Sequence, residues 1–307
     1  MKKVVVTGAT GMIGVTLINQ LLSENIQVLA IIRENSKRRG NLKEHKNLKI
    51  VECNLENLRK FHIDENDYDI FYHFGWDGTF GNDRNQKEKQ MLNVEYTLDA
   101  VNLAKRLGCN TFIGAGSQAE YGRVDGIITS ETEANPETEY GRAKLLAGIE
   151  SRKLANEIGI NHIWTRIFSV YGPFDGENAM IITSIREMLN GISPDYTLGE
   201  QNWDYLYSKD ASNALYLLAK YGQNNKVYCI ANGKTKKLYE YIEIIKNSIN
   251  SEIVLNLGKI PYAEKQVMNL SVDISELIGD TNFMPKISFE EGIRETIEWY
   301  IIRSNNG

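Results

Sequence analysis

The chain lacks the features of metal proteins, disulfide-stabilised domains and membrane proteins. Its 307 residues include three cysteines and four histidines, which lie far apart and not at metal-ligand spacing. We therefore expect no metal site, and reduced, mostly buried thiols. No apolar run is long enough to span a bilayer, and the first strand directly follows Met1-Lys2-Lys3, which leaves no room for a signal peptide. These absences favour a cytoplasmic protein.

A large excess of charge of either sign is also absent. The formal net charge is −5, and 24% of the residues are charged while 42% are hydrophobic. Proteins that bind nucleic acid through its phosphates carry a basic surface, so we expect no nucleic-acid partner. The proportions are those of a globular protein, and the length allows one large domain or two smaller ones.

What the chain does have is a pattern of glycines near its amino terminus. The apolar run Val4-Val5-Val6 precedes Thr7-Gly8-Ala9-Thr10-Gly11-Met12-Ile13-Gly14, and a helical pattern follows. Strand, glycine turn and helix form the context that a dinucleotide fingerprint requires. The first glycine allows the turn, the second lets the backbone approach a pyrophosphate, and the third permits close packing of helix and strand. The candidate cofactor contacts here are Gly8, Thr10, Gly11, Met12, Ile13 and Gly14.

A second pattern lies near the middle of the chain. Tyr140 and Lys144 are four residues apart, and Ser117 precedes Tyr140 by twenty-three residues. The spacing places Tyr140 and Lys144 one turn apart on one helical face. Because an ammonium group favours a neighbouring phenolate, we expect the pKa of Tyr140 to fall below its reference value of about 10. Tyr140 would then exchange a proton near neutral pH while Ser117 holds the substrate oxygen. The same spacing also occurs by chance on solvated helices.

Together these motifs resemble the short-chain dehydrogenase/reductase superfamily, and most closely its extended branch of nucleotide-sugar epimerases, dehydratases and reductases. The resemblance covers most of the chain. Its four anchors, in the order found in the family, are the glycine pattern, Gly116-Ser117-Gln118-Ala119-Glu120-Tyr121-Gly122, Tyr140 with Lys144, and Arg166-Ile167-Phe168-Ser169-Val170-Tyr171-Gly172-Pro173. It implies an NAD(P)-dependent enzyme that acts on a nucleotide-diphosphate sugar. It also implies a homodimer formed through the predicted helices 92–107 and 141–158.

Strand and helix patterns alternate over about the first 170 residues, which predicts a parallel sheet with helices on both faces. We expect an α/β fold, namely a Rossmann-like doubly wound parallel sheet with a smaller mixed α/β C-terminal substrate-binding lobe. Residues 1–172 form the predicted cofactor domain, to which 203–230 return. Residues 173–202 and 231–307 form the predicted lobe. A single strand is expected over 203–207.

The residue after the second strand bears on the choice of cofactor. An acidic side chain there binds the ribose of NAD, whereas an arginine accommodates the 2′-phosphate of NADP. Here the strand ends in Arg33, and Lys37 follows, so we favour NADP with NAD as the alternative. Residues 37–39 could equally form a solvated loop. The resemblance adds further cofactor contacts at Asn54, Leu55, Phe74, Gly75, Tyr140, Lys144 and Phe168.

The resemblance leaves several reactions open. Dehydratases of the family usually carry an Asp-Glu pair where this chain has Gln118-Ala119, and Glu120 lies one place too far along. Epimerases recycle a tightly held cofactor, usually NAD, whereas reductases often consume NADPH. Arg33 therefore favours reduction of a 4-keto-6-deoxy nucleotide sugar, with a 4-epimerase as the alternative. A non-catalytic NADP-binding sensor is a further possibility, although such proteins often lack the tyrosine or the lysine. The predicted substrate contacts are Trp76, Ser117, Gln118 and Ser169.

Overall fold

Seven parallel strands form the centre of the computed structural model, which describes residues 1–305. The strands of this part of the chain are β1 (Lys3–Thr7), β2 (Gln27–Ile32), β3 (Leu48–Glu52), β4 (Ile70–His73), β5 (Thr111–Ser117), β6 (Ile127–Ile128), β7 (Asn161–Ile167), β8 (Ser169–Tyr171), β9 (Asn202–Trp203), β10 (Tyr205–Tyr207), β11 (Val227–Ile230), β12 (Lys236–Lys237) and β13 (Ser271–Val272). The order across the central sheet is β11-β7-β5-β4-β1-β2-β3, so the chain starts in the middle and winds outwards in both directions.

Helices cover both faces of this sheet. The helices of the described chain are α1 (Met12–Ser23), α2 (Lys87–Arg106), α3 (Glu139–Ile158), α4 (Met180–Leu189), α5 (Ser208–Tyr221), α6 (Leu238–Ile249), α7 (Ser275–Thr281) and α8 (Phe289–Asn305). Helices α1, α5 and α7 pack on one another in one layer, and α2 packs against α3 in the other. The predicted Rossmann-like doubly wound α/β fold is confirmed. No helix in residues 1–305 is long and apolar enough to cross a membrane.

The strand sequences explain why both faces are covered. Val4, Val5 and Val6 are fully buried, and they alternate between the two layers of the core. Val4 and Val6 belong to the core under α1 and α5, whereas Val5 belongs to the core under α2. A strand that is buried on both faces needs an unbroken apolar run, which is the pattern that the sequence shows.

The single strand expected over 203–207 is wrong, because Asp204 divides it into β9 and β10. Strand β9 pairs with β12, and β10 pairs with β8. The carboxylate of Asp204 is buried and accepts hydrogen bonds from the backbone amides of Asn232 and Gly233, both at 2.7 Å. Burial raises the pKa of Asp204 to about 7. A buried carboxylate needs these donors, so the chain turns at Asp204 to meet them.

A separate apolar cluster lies beyond the sheet among α4, α6 and α8. Its centre is aromatic and includes Tyr171, Tyr207, Tyr241 and Phe289, with Tyr241 and Phe289 ring centroids 4.6 Å apart. Strand β11 pairs in parallel with β7, which brings the chain back to the central sheet after the 173–202 segment. The division into 1–172 with 203–230 and 173–202 with 231–307 stays a prediction.

Trp164 of β7 fills a narrow gap between the sheet and α3. Its side chain is 3% exposed, and a Cβ built on Gly148 of α3 would lie 2.8 Å from the indole ring. A Cβ on Gly114 of β5 would lie 2.3 Å from the same ring. The absence of side chains at these two positions lets α3 approach the sheet closely enough to enclose Trp164.

We predict that Gly148→Ala lowers the free energy of unfolding by about 1 to 3 kcal/mol, because overpacking forces the indole or the helix to move. Gly279→Ala is the matched control, since Gly279 is an exposed helical glycine with no atom within 4 Å of an added Cβ. The control should be neutral or gain up to about 1 kcal/mol from helix propensity. Urea unfolding of both variants measures the difference, and equal stabilities would contradict the packing argument.

Candidate active site

The turn from β1 to α1 crosses the turn after β4 at very short range. Gly8 has a φ of +66°, and an added Cβ would lie 2.6 Å from the carbonyl carbon of Phe74. Gly75 donates its amide to Thr7 Oγ1 at 3.3 Å, which fixes the two turns to each other. A Cβ on Gly14 would lie 2.5 Å from the carbonyl oxygen of Gly8. Glycine is therefore required at Gly8 and Gly14 by the protein's own backbone.

Gly11 has a different environment from the other two glycines. A Cβ at Gly11 would approach only the Gly8 carbonyl oxygen, at an ordinary 3.5 Å. Gly11 is the N-cap of α1, and no side chain caps the helix there. The helix start at Met12 and Ile13 therefore has backbone amides without a side-chain cap and a positive dipole end, which suit a pyrophosphate. Thr10 precedes this helix start, and its carbonyl accepts a hydrogen bond from Asn41 at 3.1 Å.

The predicted contacts for the adenosine end lie after β2 and β3. Arg33 and Lys37 are exposed and form no ion pair within the described part of the chain, whereas Arg39 binds Glu52 at 2.9 Å. Asn54 Oδ1 accepts the amide of Glu34 at 3.1 Å, so this side chain joins the ends of the two strands. Leu55 lies beside Gly75, where an added Cβ would be 2.8 Å from its Cδ2.

Ser117 ends β5, and a buried carboxylate holds it there. Glu120 is fully buried, and its Oε1 accepts the Ser117 amide at 2.8 Å. The Ser117 hydroxyl in turn accepts the amide of Ala119 at 3.2 Å. Glu120 also accepts hydrogen bonds from Trp164 Nε1 at 3.0 Å and Arg166 Nε at 2.8 Å. The roles of Glu120 and Arg166 in placing Ser117 were not foreseen from the sequence.

Tyr140 and Lys144 lie on α3 and face the end of β5, but the expected effect of the lysine on the tyrosine is wrong. The Lys144 ammonium donates to the Ala115 carbonyl at 2.6 Å and lies 3.7 Å from the centroid of a Trp76 ring. It is 5.8 Å from the centroid of the Tyr140 ring. Burial raises the pKa of Tyr140 above its usual value, and hydrogen bonding with Ser117 opposes this rise only in part. Burial also lowers the pKa of Lys144 to about 7.

Trp76 contacts both Tyr140 and Lys144 and is hydrogen-bonded to α2. Its ring meets the Tyr140 ring edge to face, with centroids 6.0 Å apart. Trp76 Nε1 donates to the buried Gln90 at 2.9 Å. Asn93, one turn further along α2, accepts the amide of Asp77 at 2.7 Å and returns a hydrogen bond to its carbonyl. Sequence patterns predicted Trp76 but not the two amide side chains that hold its loop.

The remaining predicted contacts lie around the same carboxyl-terminal edge of the sheet. Gln118 follows Ser117 directly, and its Oε1 is buried without a hydrogen-bond partner in the described structure. Phe168 is 6% exposed and packs on Tyr121, with ring centroids 6.0 Å apart. Ser169 begins β8 and pairs with Tyr205. The structure thus gathers these residues at the edge with Ser117, while Arg33 and Lys37 lie on the exposed loop after β2.

Among the histidines and cysteines, His73 borders the site, because it ends β4 and shares a hydrogen bond with Thr7 Oγ1 at 2.8 Å. Among residues 1–305, no three His, Cys, Asp or Glu side chains are grouped as metal ligands would be. His73 and His162 are buried, and burial lowers the pKa of each to about 3, so both are neutral. The three cysteines are free thiols and buried.

Comparison with known proteins gives a consistent result. A sequence model of the NAD dependent epimerase/dehydratase family matches residues 4–231. An uncharacterized protein of Methanocaldococcus jannaschii is 24% identical over 318 residues, which cover 98% of this chain and 96% of its own. The structure of UDP-N-acetylglucosamine 4-epimerase from Methanobrevibacter ruminantium M1, in complex with UDP-N-acetylmuramic acid, superimposes with a TM-score of 0.89 and 28% identity, covering 98% of this chain and 99% of that one. UDP-glucuronic acid 4-epimerase from Bacillus cereus, in complex with NAD, has the same fold, with a TM-score of 0.85, 20% identity and coverage of 98% and 99%.

The buried ammonium of Lys144 leads to a prediction about stability and pH. Below a pH of about 7 this group is charged in both the folded and the unfolded chain, so the cost of burying its charge is present in full. Between about 7 and 10.5 the folded chain holds fewer protons than the unfolded chain, so the cost declines as the pH rises. We expect Lys144→Met to gain stability relative to wild type, and to gain about 1 to 2 kcal/mol more at pH 6 than at pH 9.

Urea unfolding at the two pH values measures this difference. Lys153→Met, on the same helix but with a side chain that is 62% exposed, should show no such dependence. A larger gain for Lys144→Met at pH 9 than at pH 6 would contradict the prediction.

Proposed function

The chain belongs to the NAD dependent epimerase/dehydratase family and is a nucleotide-sugar enzyme, and on this premise we propose that it reduces the 4-keto group of a 6-deoxy nucleotide-diphosphate sugar with NADPH. The observation that carries the proposal is the convergence of Ser117, Tyr140 and Lys144 at the carboxyl end of β5, beside the glycine turn. Ligands of open parallel sheets bind at this edge.

The chemistry follows from what each side chain can donate. The nicotinamide cofactor supplies the hydride when it is bound. Tyr140 Oη donates its proton to the former carbonyl oxygen of the sugar, and the Ser117 hydroxyl donates a hydrogen bond to the same oxygen. A phenol whose pKa is raised is protonated at neutral pH, which suits a proton donor in reduction. In this proposal, Lys144 donates a hydrogen bond to a ribose hydroxyl of the cofactor. That bond replaces the one that its ammonium donates to the Ala115 carbonyl.

Dehydration is disfavoured by the position of Glu120. An elimination needs a second acid–base group next to Ser117, and the positions that follow are Gln118 and Ala119. The Glu120 carboxylate is fully buried and bound to Arg166, Trp164 and the Ser117 backbone, so it does not face the cleft. Gln118, with its unpartnered amide oxygen, is better suited to accept a hydrogen bond from a sugar hydroxyl.

The end of β2 supports NADP as the cofactor. Ile32 is followed by Arg33, which is exposed and has no carboxylate partner in residues 1–305, so its planar fork is available to a 2′-phosphate. The nearest acid, Glu34, is also exposed, and its amide is bound to Asn54. NAD remains the alternative, because the Bacillus cereus epimerase binds it in the same fold.

The second candidate is a nucleotide-sugar 4-epimerase. It is favoured by the 28% identity and near-complete coverage shared with the Methanobrevibacter ruminantium enzyme, which acts at the same sugar position. Oxidation followed by reduction of one sugar would use the same Tyr140 first as a base and then as an acid. A sensor without catalytic activity is a weaker candidate, since it would have no use for Ser117, Tyr140 and Lys144 together.

We also propose that the enzyme is a homodimer formed through α2 and α3. The two helices pack side by side, and α2 exposes Met91 and Leu92 at 38% and 44%. Apolar side chains in this position would be covered by the same helices of a second copy. The cytoplasmic location favoured by the composition stays a prediction.

The first test incubates the protein with NADPH and a panel of nucleotide-linked 4-keto-6-deoxy sugars and hexoses. We expect one NADPH to be consumed for each 4-keto sugar reduced. Tyr140→Phe should lower kcat by about 100-fold or more, since it removes the proton donor. Tyr221→Phe is the control, because Tyr221 is 51% exposed on α5. Interconversion of sugars without net loss of cofactor would establish the epimerase instead, and full turnover by Tyr140→Phe would refute the role of that residue.

The second test addresses the choice of cofactor by calorimetric titration. We expect wild type to bind NADP about tenfold more tightly than NAD, because a charge-assisted hydrogen bond contributes about 1.5 to 3 kcal/mol. Arg33→Ala should remove this preference and leave the affinity for NAD unchanged. Arg39→Ala, in the same loop but paired with Glu52, is the control and should keep the preference. Tighter binding of NAD by the wild type would overturn the assignment of NADP.

A further inference from the structure

Besides Lys144, a second cation lies near Tyr140. It is Arg84, which belongs to none of the sequence motifs. The guanidinium carbon of Arg84 is 4.4 Å from the centroid of the Tyr140 ring, which is a cation–π distance. Arg84 belongs to the short 3₁₀ turn Gly81–Asn85 and is half-buried. Its one hydrogen bond within residues 1–305 is a long one, from Nη1 to the Thr79 carbonyl at 3.4 Å.

The turn that carries Arg84 is fixed to α2 by buried and charged groups. Gln90 is fully buried, and its Nε2 donates to the carbonyls of Gly78 and Asp83, at 2.8 and 2.9 Å. The carboxylate of Asp83, the nearest acid in sequence, is bound to Lys89 at 2.7 Å and to Gln86 at 3.0 Å. Arg84 therefore has no carboxylate partner in the described structure, and its charge is directed at the phenol ring.

The other charged groups around Tyr140 are already engaged. Glu120, from the turn after β5, is paired with Arg166 at 2.8 Å. Lys144, on the same helix as Tyr140, is bonded to Ala115 and lies over Trp76. Ser117, at the end of β5, supplies a neutral hydroxyl that favours the phenolate by hydrogen bonding. In this arrangement, Arg84 is the cation that contacts the aromatic face of Tyr140.

We propose that Arg84 is a positioning residue for Tyr140, which holds the phenol ring against Trp76 and stabilises the negative charge that Tyr140 carries once its proton is transferred. It takes the electrostatic role that the Tyr-x-x-x-Lys spacing suggested for Lys144. The contribution to turnover rests on the proposed function, whereas the effect on Tyr140 itself exists in the protein without substrate.

The electrostatic direction agrees with this geometry. Arg84 lowers the pKa of Tyr140, opposing the rise caused by burial, and Glu120 raises it. Arg84 acts from a half-buried turn, where a positive charge beside the phenol favours its ionised form. Removal of the guanidinium charge should therefore make Tyr140 harder to ionise.

The test places 3,5-difluorotyrosine at position 140 and follows its ¹⁹F chemical shift against pH, so that one phenol is observed and its pKa falls in an accessible range. We expect Arg84→Gln to raise this pKa by about 1 to 2 units. Arg84→Lys, which keeps the charge but loses the planar fork, should raise it less. Arg142→Gln is the matched control, because Arg142 lies on α3 and faces Glu139, 3.5 Å away.

An unchanged pKa in Arg84→Gln, or an equal shift in Arg142→Gln, would overturn the proposal. The titration needs neither substrate nor cofactor, so its result stands even if the reductase assay fails. With a turnover assay in hand, the same variants should move the alkaline limb of kcat/KM, where protonated Tyr140 is lost, to higher pH in the order wild type, Arg84→Lys, Arg84→Gln. Circular dichroism of each variant confirms that the fold is retained.

Discussion

The buried ion pair between Glu120 and Arg166 is the interaction on which the reactive site depends. One carboxylate binds the backbone amide of Ser117, the indole of Trp164 and the guanidinium of Arg166, with no exposure to solvent. Loss of one partner from a buried pair costs about 3 to 5 kcal/mol, because the remaining charge is left without compensation. Ser117 is therefore located by a buried carboxylate, and β5, β7 and the turn after β5 form one unit around that group.

The opposite side of the cleft is organised by α2 rather than by the sheet. Gln90 and Asn93 are both buried, and their amides hold the loop that bears Trp76 and Arg84. Tyr140 projects from α3 between these two supports. Since α2 and α3 also pack on each other, a change in their relative position would shift the loop relative to the tyrosine. The contacts of Trp76 and Arg84 with Tyr140 thus depend on how the two helices pack.

Much of the fold could be predicted from local sequence. Buried parallel strands need apolar runs, and a tight turn between strand and helix needs glycine at particular positions. The alternation of strand and helix patterns predicted the Rossmann-like sheet, which is confirmed. The features that the sequence did not predict depend on tertiary contacts. The break at Asp204 requires the amides of Asn232 and Gly233, which are distant in sequence, and the orientation of Lys144 towards Ala115 requires knowledge of where β5 ends. No sequence spacing predicts the role of Arg84, because Arg84 and Tyr140 come together only when the loop between β4 and α2 folds against α3.

The gap that encloses Trp164 has a consequence for how this protein can change in evolution. The indole is bounded by Gly114 and Gly116 on β5 and by Gly148 on α3, and a Cβ at any of the three would overlap it. A smaller residue in place of Trp164 would leave a void and remove a donor to Glu120, whereas a larger residue at any of the three glycines would force the indole or its surroundings to move. A substitution at one of these four positions is therefore favoured by a compensating change of volume at another.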